Sequence, residues 1–276
     1  MNSKKTKNKI ISYYNQSNWL YKYFWYNSKT LGLHFGIDDE TTKNLGDSIE
    51  NQYKILIKLG KIKKGMRVLD AGCGVGGASI YIAEKTNASL FGISLVPDQI
   101  KQAQTNAIRR NVSMHTSFTV EDYTKTSFGD NYFDVVFGIE SICHSYPKES
   151  FLSEAKRILK PNGRLIIADG YRLRKEKDSS EKTITSNLCL AWSLDELIEE
   201  KSMTKKIESS GFKLINRLEK TSSLTRSKKR FKLLGFLGQF FLFLPGVRDN
   251  VLSIKSVLKG LEIGLFGYFI HLAVKK

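Results

Sequence analysis

The residues best placed to do chemistry sit at the ends of short apolar runs. Val68 and Leu69 lead into Asp70, and Gly72, Gly74, Gly76 and Gly77 follow at once. Glycines tolerate positive φ and carry no Cβ, so a glycine turn between a strand and a helix lets backbone N–H groups approach a ligand closely. No Lys-Ser/Thr pair follows the last glycine, which excludes the phosphate loop of nucleotide hydrolases. Asp70 either caps local N–H groups or serves the same ligand. A second apolar run ends in Ser94, with Gln99 shortly after. A nucleotide-like cofactor usually meets a carboxylate at that point, able to accept from both ribose hydroxyls. Serine offers one hydroxyl and no charge, so Gln99 is expected to share the task. A third run ends in Glu121 and Asp122, and a fourth in Glu140-Ser141-Ile142-Cys143-His144.

The elements that must position these residues alternate along the chain. Strands are expected at 66–70, 89–94, 114–120, 133–139 and 163–169, with helices at 76–86, 97–110 and 148–159. Pro97 suits a first helical turn, and Pro161-Asn162-Gly163 is expected to separate helix from strand. An amphipathic helix over 45–60 precedes them, with Gly60 suited to its end. Alternation of this kind implies a parallel sheet covered by helices, with the ligand site at the carboxyl ends of the strands. Residues 171–205 read as charged and mostly helical, with Trp192 on the apolar side. Further strands are expected at 211–215 and 267–274.

Residues 68–77 closely resemble motif I of the class I S-adenosylmethionine-dependent methyltransferases. The resemblance covers about 60–170 well and implies an α/β, Rossmann-like sheet of seven mostly parallel strands with helices on both faces. It implies S-adenosylmethionine as the cofactor, held by Asp70, Gly72, Gly74, Gly76, Ser94, Gln99, Asp122 and Glu140. Asp122 matches the position that accepts from the adenine amino group. Ser94 departs from the usual acid, as in branches acting on lipids such as the cyclopropane fatty acid synthases. Glu140-Ser141-Ile142-Cys143-His144 resembles the corresponding segment of sterol and tocopherol methyltransferases and their isoprenoid branch. His34-Phe35-Gly36 matches a His-x-Gly pattern of such relatives. The Asn/Asp-Pro-Pro-aromatic motif of nucleic-acid amino-methylating relatives is absent.

Such an enzyme must hold a nucleophile in line with an already electrophilic methyl group. An alkene nucleophile becomes a carbocation, which needs a carboxylate or aromatic faces nearby and a base to take a proton. Glu140, His144 and Tyr14 are the candidates for this chemistry, and Tyr23, His34 and Trp192 for contact with the acceptor. A phenol or amine acceptor would need only a base, and His144 would serve. The plainer alternatives are that Glu140 bonds the cofactor or a loop and that His144 is structural.

Composition bounds the partners. The chain of 276 residues carries a net charge of +17, which favours anionic partners or is simply a lysine-rich surface. Cys73, Cys143 and Cys189 are odd in number and widely spaced, so they read as packing residues in a reducing compartment. No CxxC or HxxxH spacing offers a metal site. Three regions follow: a helical cap over 1–50, dense in aromatics; a cofactor-binding core over 51–170; and a substrate lid with C-terminal strands over 171–276. Within the last, 221–265 holds a basic cluster and the apolar stretch 233–244, too short to span a bilayer. That stretch reads as buried helix, lid or interfacial segment. The expectation is an enzyme at the cytoplasmic side with no signal peptide, touching a membrane at most peripherally through 226–244. It would methylate a small, largely apolar acceptor, isoprenoid-, sterol- or quinone-like, at carbon in preference to oxygen or nitrogen. A prenyl diphosphate would also suit the charge. No nucleic-acid partner is expected, and a non-catalytic cofactor-binding module is the remaining class.

Overall fold

The computed structural model describes residues 11–12, 29–243 and 246–276. Tyr14 and Tyr23 lie outside the described residues, as does most of the aromatic prelude. Residues 11–12 are helical, and 29–44 run as turns and irregular chain into the next described helix.

That helix, α1 (Leu45–Gly60), starts at a capping box. The Asn44 side chain accepts from the Asp47 N–H and the Asp47 carboxylate accepts from the Asn44 N–H, satisfying two otherwise orphaned donors. Ile49, Tyr53 and Leu56 form its buried face. The left-handed closing residue is Lys61, at φ 50°, rather than Gly60. Glycine at 60 instead provides room, because a Cβ there would lie 2.8 Å from Ile62 Cγ1.

Seven strands follow: β1 (Arg67–Ala71), β2 (Ser89–Ser94), β3 (Thr116–Val120), β4 (Phe133–Ile139), β5 (Leu159–Arg172), β6 (Phe212–Glu219) and β7 (Phe266–Lys275). They form one sheet in the order β3-β2-β1-β4-β5-β7-β6. β1 to β5 are parallel, and β7 runs antiparallel to both β5 and β6. The order reverses between β1 and β4, which opens a crevice at the carboxyl ends of those two strands. The Pro161-Asn162-Gly163 turn does not divide helix from strand as expected. It loops out inside β5: Phe133 pairs with Leu159 while Val135 pairs with Arg164, so the strand absorbs the extra residues as an irregularity.

Seven further helices cover the sheet: α2 (Gly77–Thr86), α3 (Pro97–Arg109), α4 (Lys148–Ile158), α5 (Ser179–Ala191), α6 (Glu200–Ser209), α7 (Thr225–Gly238) and α8 (Val247–Glu262). They are shared unequally. Phe151, Leu152 and Ile158 of α4, with Met203 and Ile207 of α6, pack in one buried cluster. The buried apolar residues of α1, α2, α3, α5, α7 and α8 pack in the other, together with Leu31, Phe35 and Ile37 of the cap. The apolar stretch 233–244 is not a helix of its own. α7 starts in the basic cluster, runs to Gly238, and a turn follows.

One buried ionic cluster ties the antiparallel edge together. Glu200 accepts from both Arg217 nitrogens, at 2.6 and 2.7 Å, and lies 2.8 Å from His271 Nε2. These bonds hold its carboxyl at about 2 despite burial, which opposes them as the largest single effect. A carboxylate held below its usual range stabilises the fold above the unfolded-state value, and the stabilisation is lost as pH falls towards about 2. Glu200→Ala leaves His271 and Arg217 without their partner. It is expected to cost about 3 kcal/mol in urea unfolding at neutral pH; a loss under about 0.5 kcal/mol would show that the cluster is dispensable.

Candidate active site

The crevice between β1 and β4 opens into a cavity of about 420 Å³. Its floor is the glycine turn. Gly72, Gly74 and Gly76 adopt φ of 99°, 53° and 88°, which side-chain-bearing residues rarely do. The N–H groups of Gly72 and Cys73 both donate to Ile93 O at 3.0 Å, pinning the turn to β2. A Cβ at Gly72 would lie 2.4 Å from that of Ser141, so this glycine lets the ends of β1 and β4 come together. Gly76 caps α2. Asp70 reaches the first turn of α2: its Oδ2 accepts from Ser79 Oγ at 2.8 Å, and its carboxyl also accepts from the Ser79 N–H. Burial raises its carboxyl to about 7, against the opposing bonds from Ser79.

Ser94 and Gln99 form a pair. Ser94 Oγ donates to Gln99 Oε1 at 2.9 Å and accepts from Val96 N–H at 3.2 Å, and both side chains are buried. Asp122 follows β3, where its Oδ1 accepts from Thr124 N–H at 2.8 Å and Thr124 Oγ1 at 2.7 Å. Its neighbour Tyr123 lines the cavity, whereas Asp122 and Gly76 are not part of the lining. Tyr123 donates to Ser141 O at 2.9 Å.

Glu140 ends β4 at φ 48°. Its Oε1 accepts from Phe35 N–H at 2.9 Å, so the cap is fastened directly to the strand end. The Tyr268 hydroxyl also donates to this carboxyl and in turn accepts from Gln52 Nε2 at 2.7 Å. Burial, reinforced by the Asp169 carboxyl nearby, raises Glu140 to about 8. The free protein therefore holds a protonated Glu140 at neutral pH. His144 moves the other way, lowered to about 4 by burial and the Lys148 charge. It is a neutral imidazole and a much weaker base than an ionised Glu140. His34 is also lowered to about 4 by burial, with Nδ1 donating to Phe35 O at 2.7 Å and Nε2 3.1 Å from the Tyr53 hydroxyl.

Asp70, Gly72, Gly74, Ser94, Gln99, Glu140, His144, His34 and Trp192 line one cavity. Asp169, at the end of β5's parallel segment, was not anticipated. It accepts from Cys143 N–H at 2.8 Å and Gly170 N–H at 2.9 Å, and its carboxyl is raised to about 6 by burial. Lys148 was also missed. Its buried Nζ donates to Cys143 O and Ser145 O, both at 2.7 Å, holding the turn that presents His144. Asp169 was legible as an acid at a strand end, like Asp70 and Asp122; a lysine opening a helix gives no such signal. Phe231, Leu234, Leu237, Phe241, Val251 and Ile254 of the 221–265 segment close the cavity's apolar side.

Residues 62–222 match the model of a family described as a methyltransferase domain. The chain belongs to that family. Its methyl donor is S-adenosylmethionine, as the glycine turn implied. The residues fit such a donor: a glycine floor open to backbone approach, a Ser94–Gln99 pair where hydroxyls would bind, and buried carboxyls suited to a cation. The chain is 29% identical over 212 residues to a sterol 24-C-methyltransferase of Schizosaccharomyces pombe, covering 76% of this chain and 54% of that one. It is 32% identical over 169 residues to a chloroplastic tocopherol O-methyltransferase of Arabidopsis thaliana, covering 57% of this chain and 48% of that one. It spans about half the length of these curated relatives. The fold matches a cyclopropane synthase from Mycobacterium tuberculosis with a TM-score of 0.85 over 98% of both chains, at 13% identity.

The glycine floor carries a test. Gly72→Ala combines a φ of 99° with a 2.4 Å clash and is expected to lower stability by about 1–3 kcal/mol and to weaken S-adenosylmethionine binding. Gly129→Ala, which would meet nothing within 4 Å, is the control. Equal melting temperatures and equal calorimetric affinities for the two variants would contradict the close approach.

Proposed function

We propose that this enzyme transfers the methyl group of S-adenosylmethionine to a neutral, largely apolar acceptor of the isoprenoid, sterol or quinone class, with carbon the favoured site. The observation that carries this reading is the charge of the cavity wall. Among the described residues it holds the carboxyls of Asp70, Glu140 and Asp169, no lysine and no arginine. Its two histidines are held neutral. The lysines and arginines among the described residues lie outside this lining. A diphosphate or a nucleic-acid backbone bound without a divalent cation would meet no lysine or arginine among the described residues of this wall, and its charge would be desolvated uncompensated. A neutral, apolar molecule suits Leu33, Phe231, Leu234, Leu237 and Trp192.

The donor supplies a methyl group on a positively charged sulfur. The chain's residues do the rest. Asp122 is assigned to the adenine end, and Ser94 with Gln99 to the ribose. Glu140 loses its proton to solvent when a cation enters beside it, because an opposite charge nearby favours the ionised form. The resulting carboxylate faces the acceptor's developing positive charge and takes the proton that carbon methylation releases. His144 hydrogen-bonds or packs against the acceptor, since an imidazole at about 4 is a poor base at neutral pH. His34 holds the cap beside the acceptor, and Trp192 forms its wall. A phenolic hydroxyl is the second reading, supported by the likeness to the tocopherol enzyme. The same carboxylate would take the phenol's proton.

The test is transfer of labelled methyl groups to a panel of acceptors. A sterol, a prenylated quinol and a polyprenyl alcohol stand against a prenyl diphosphate. Label is expected in a neutral member and not in the diphosphate, with Glu140→Gln reducing the rate by about 10²–10⁴-fold while S-adenosylmethionine still binds. Methylation of the diphosphate alone would overturn the assignment.

A further inference from the structure

The segment that closes the cavity also carries a run of exposed large apolar residues. On its inner side Leu234, Leu237, Gly238 and Phe241 line the cavity. On its outer side Leu233, Phe236, Phe240, Leu242 and Phe243 are exposed, Phe240 by 64% and Phe243 by 79%. Phe236 and Phe240 pack edge to face at 5.5 Å, so they form a contiguous patch rather than scattered side chains.

The hairpin beneath the patch is tightly built. A Cβ at Gly238 would lie 2.5 Å from Val251 Cγ2, and one at Gly235 2.9 Å from Ile254 Cγ2. These contacts set α7 and α8 antiparallel, with residues 239–243 at the tip. Behind the tip, charge is one-sided. Over 225–262, from the start of α7 to the end of α8, the chain carries eight lysines and arginines and two acids, Asp249 and Glu262, the latter paired with Lys259. Lys229 and Lys232 on α7, and Arg248, Lys255 and Lys259 on α8, are exposed. No described helix is long and apolar enough to cross a membrane.

We propose that the α7–α8 tip docks on an anionic membrane surface, its phenylalanines entering the headgroup region while the basic residues behind them meet acidic lipids. Apolar area and cationic charge act together in such contacts. The charge selects the occupant: two copies of this tip would bring like charges together, whereas anionic lipid complements them. Because the inner face of the same segment lines the cavity, docking sets the cavity wall against the bilayer that dissolves an apolar acceptor. The inference rests on the reading of the acceptor as apolar, and the experiment separates the two.

Full-length protein is floated with vesicles of phosphatidylcholine alone and with added phosphatidylserine. The wild-type chain is expected to bind the anionic vesicles, and more weakly at high salt. The double variant Phe240→Glu, Phe243→Glu, altered outside the cavity, should bind them about tenfold more weakly or worse. Its affinity for S-adenosylmethionine and its methylation of a detergent-dispersed acceptor should stay unchanged. Absent vesicle binding, or equal binding by variant and wild type, overturns the docking while methylation in detergent leaves the catalytic reading standing. A concentration-dependent dimer that the same variant abolishes would assign the patch to a second copy of the chain and also overturn it.

Discussion

A carboxyl buried beside another carboxyl, with no lysine or arginine among the described residues lining the cavity and the buried Lys148 as the charge near Asp169, is the constraint on which the site depends. Glu140 stands at a positive φ where β4 ends, near Asp169 and within reach of the Phe35 N–H. In water two such acids would ionise near their usual values; here burial forbids it, and Glu140 keeps its proton up to about 8. The protein therefore stores an unmet demand for positive charge at the end of the sheet. A cationic methyl donor meets that demand, and an anionic ligand does not. The surrounding bonds make the arrangement rigid. Phe35 brings the cap onto the strand end, Tyr268 and Gln52 reach in from β7 and α1, and Lys148 braces the turn from below.

The contrast between inside and outside follows from the same constraint. A chain with so large a positive charge might be taken for a binder of nucleic acid or phosphate. Among the described residues no lysine or arginine lines the cavity and many lie on α7 and α8, while the wall facing the donor is acidic and apolar. Charge thus differs at two ranges: the cavity wall is acidic, and the helices outside it are basic.

Much of this was legible in the sequence, and the reasons are specific. Strands at 89–94 and 133–139 were readable as apolar runs ending in the polar residues Ser94 and Glu140, and β2 and β4 fall on those residues. Ser94 and Gln99 were linked by the missing acid, and the structure pairs them by a hydrogen bond. Where local signals conflicted with tertiary packing, reading failed. A Pro-Asn-Gly turn normally ends an element, yet pairing of β5 with β4 on both sides of it makes it an irregularity within one strand. The start of α7 was hidden because lysines suit an exposed helix face as well as a loop. Tyr53, deep in α1, gave only a core signal, although its ring and hydroxyl reach the cavity and His34.

The most direct measurement is the titration of the Glu140 carboxyl by carbon-13 resonance in protein labelled at glutamate, assigned with Glu140→Gln. The expected midpoint in the free protein is about 8. S-adenosylmethionine should lower it into the ordinary carboxylate range, and the neutral S-adenosylhomocysteine should not. A midpoint already in that range in the free protein, or the same response to both ligands, would contradict the account.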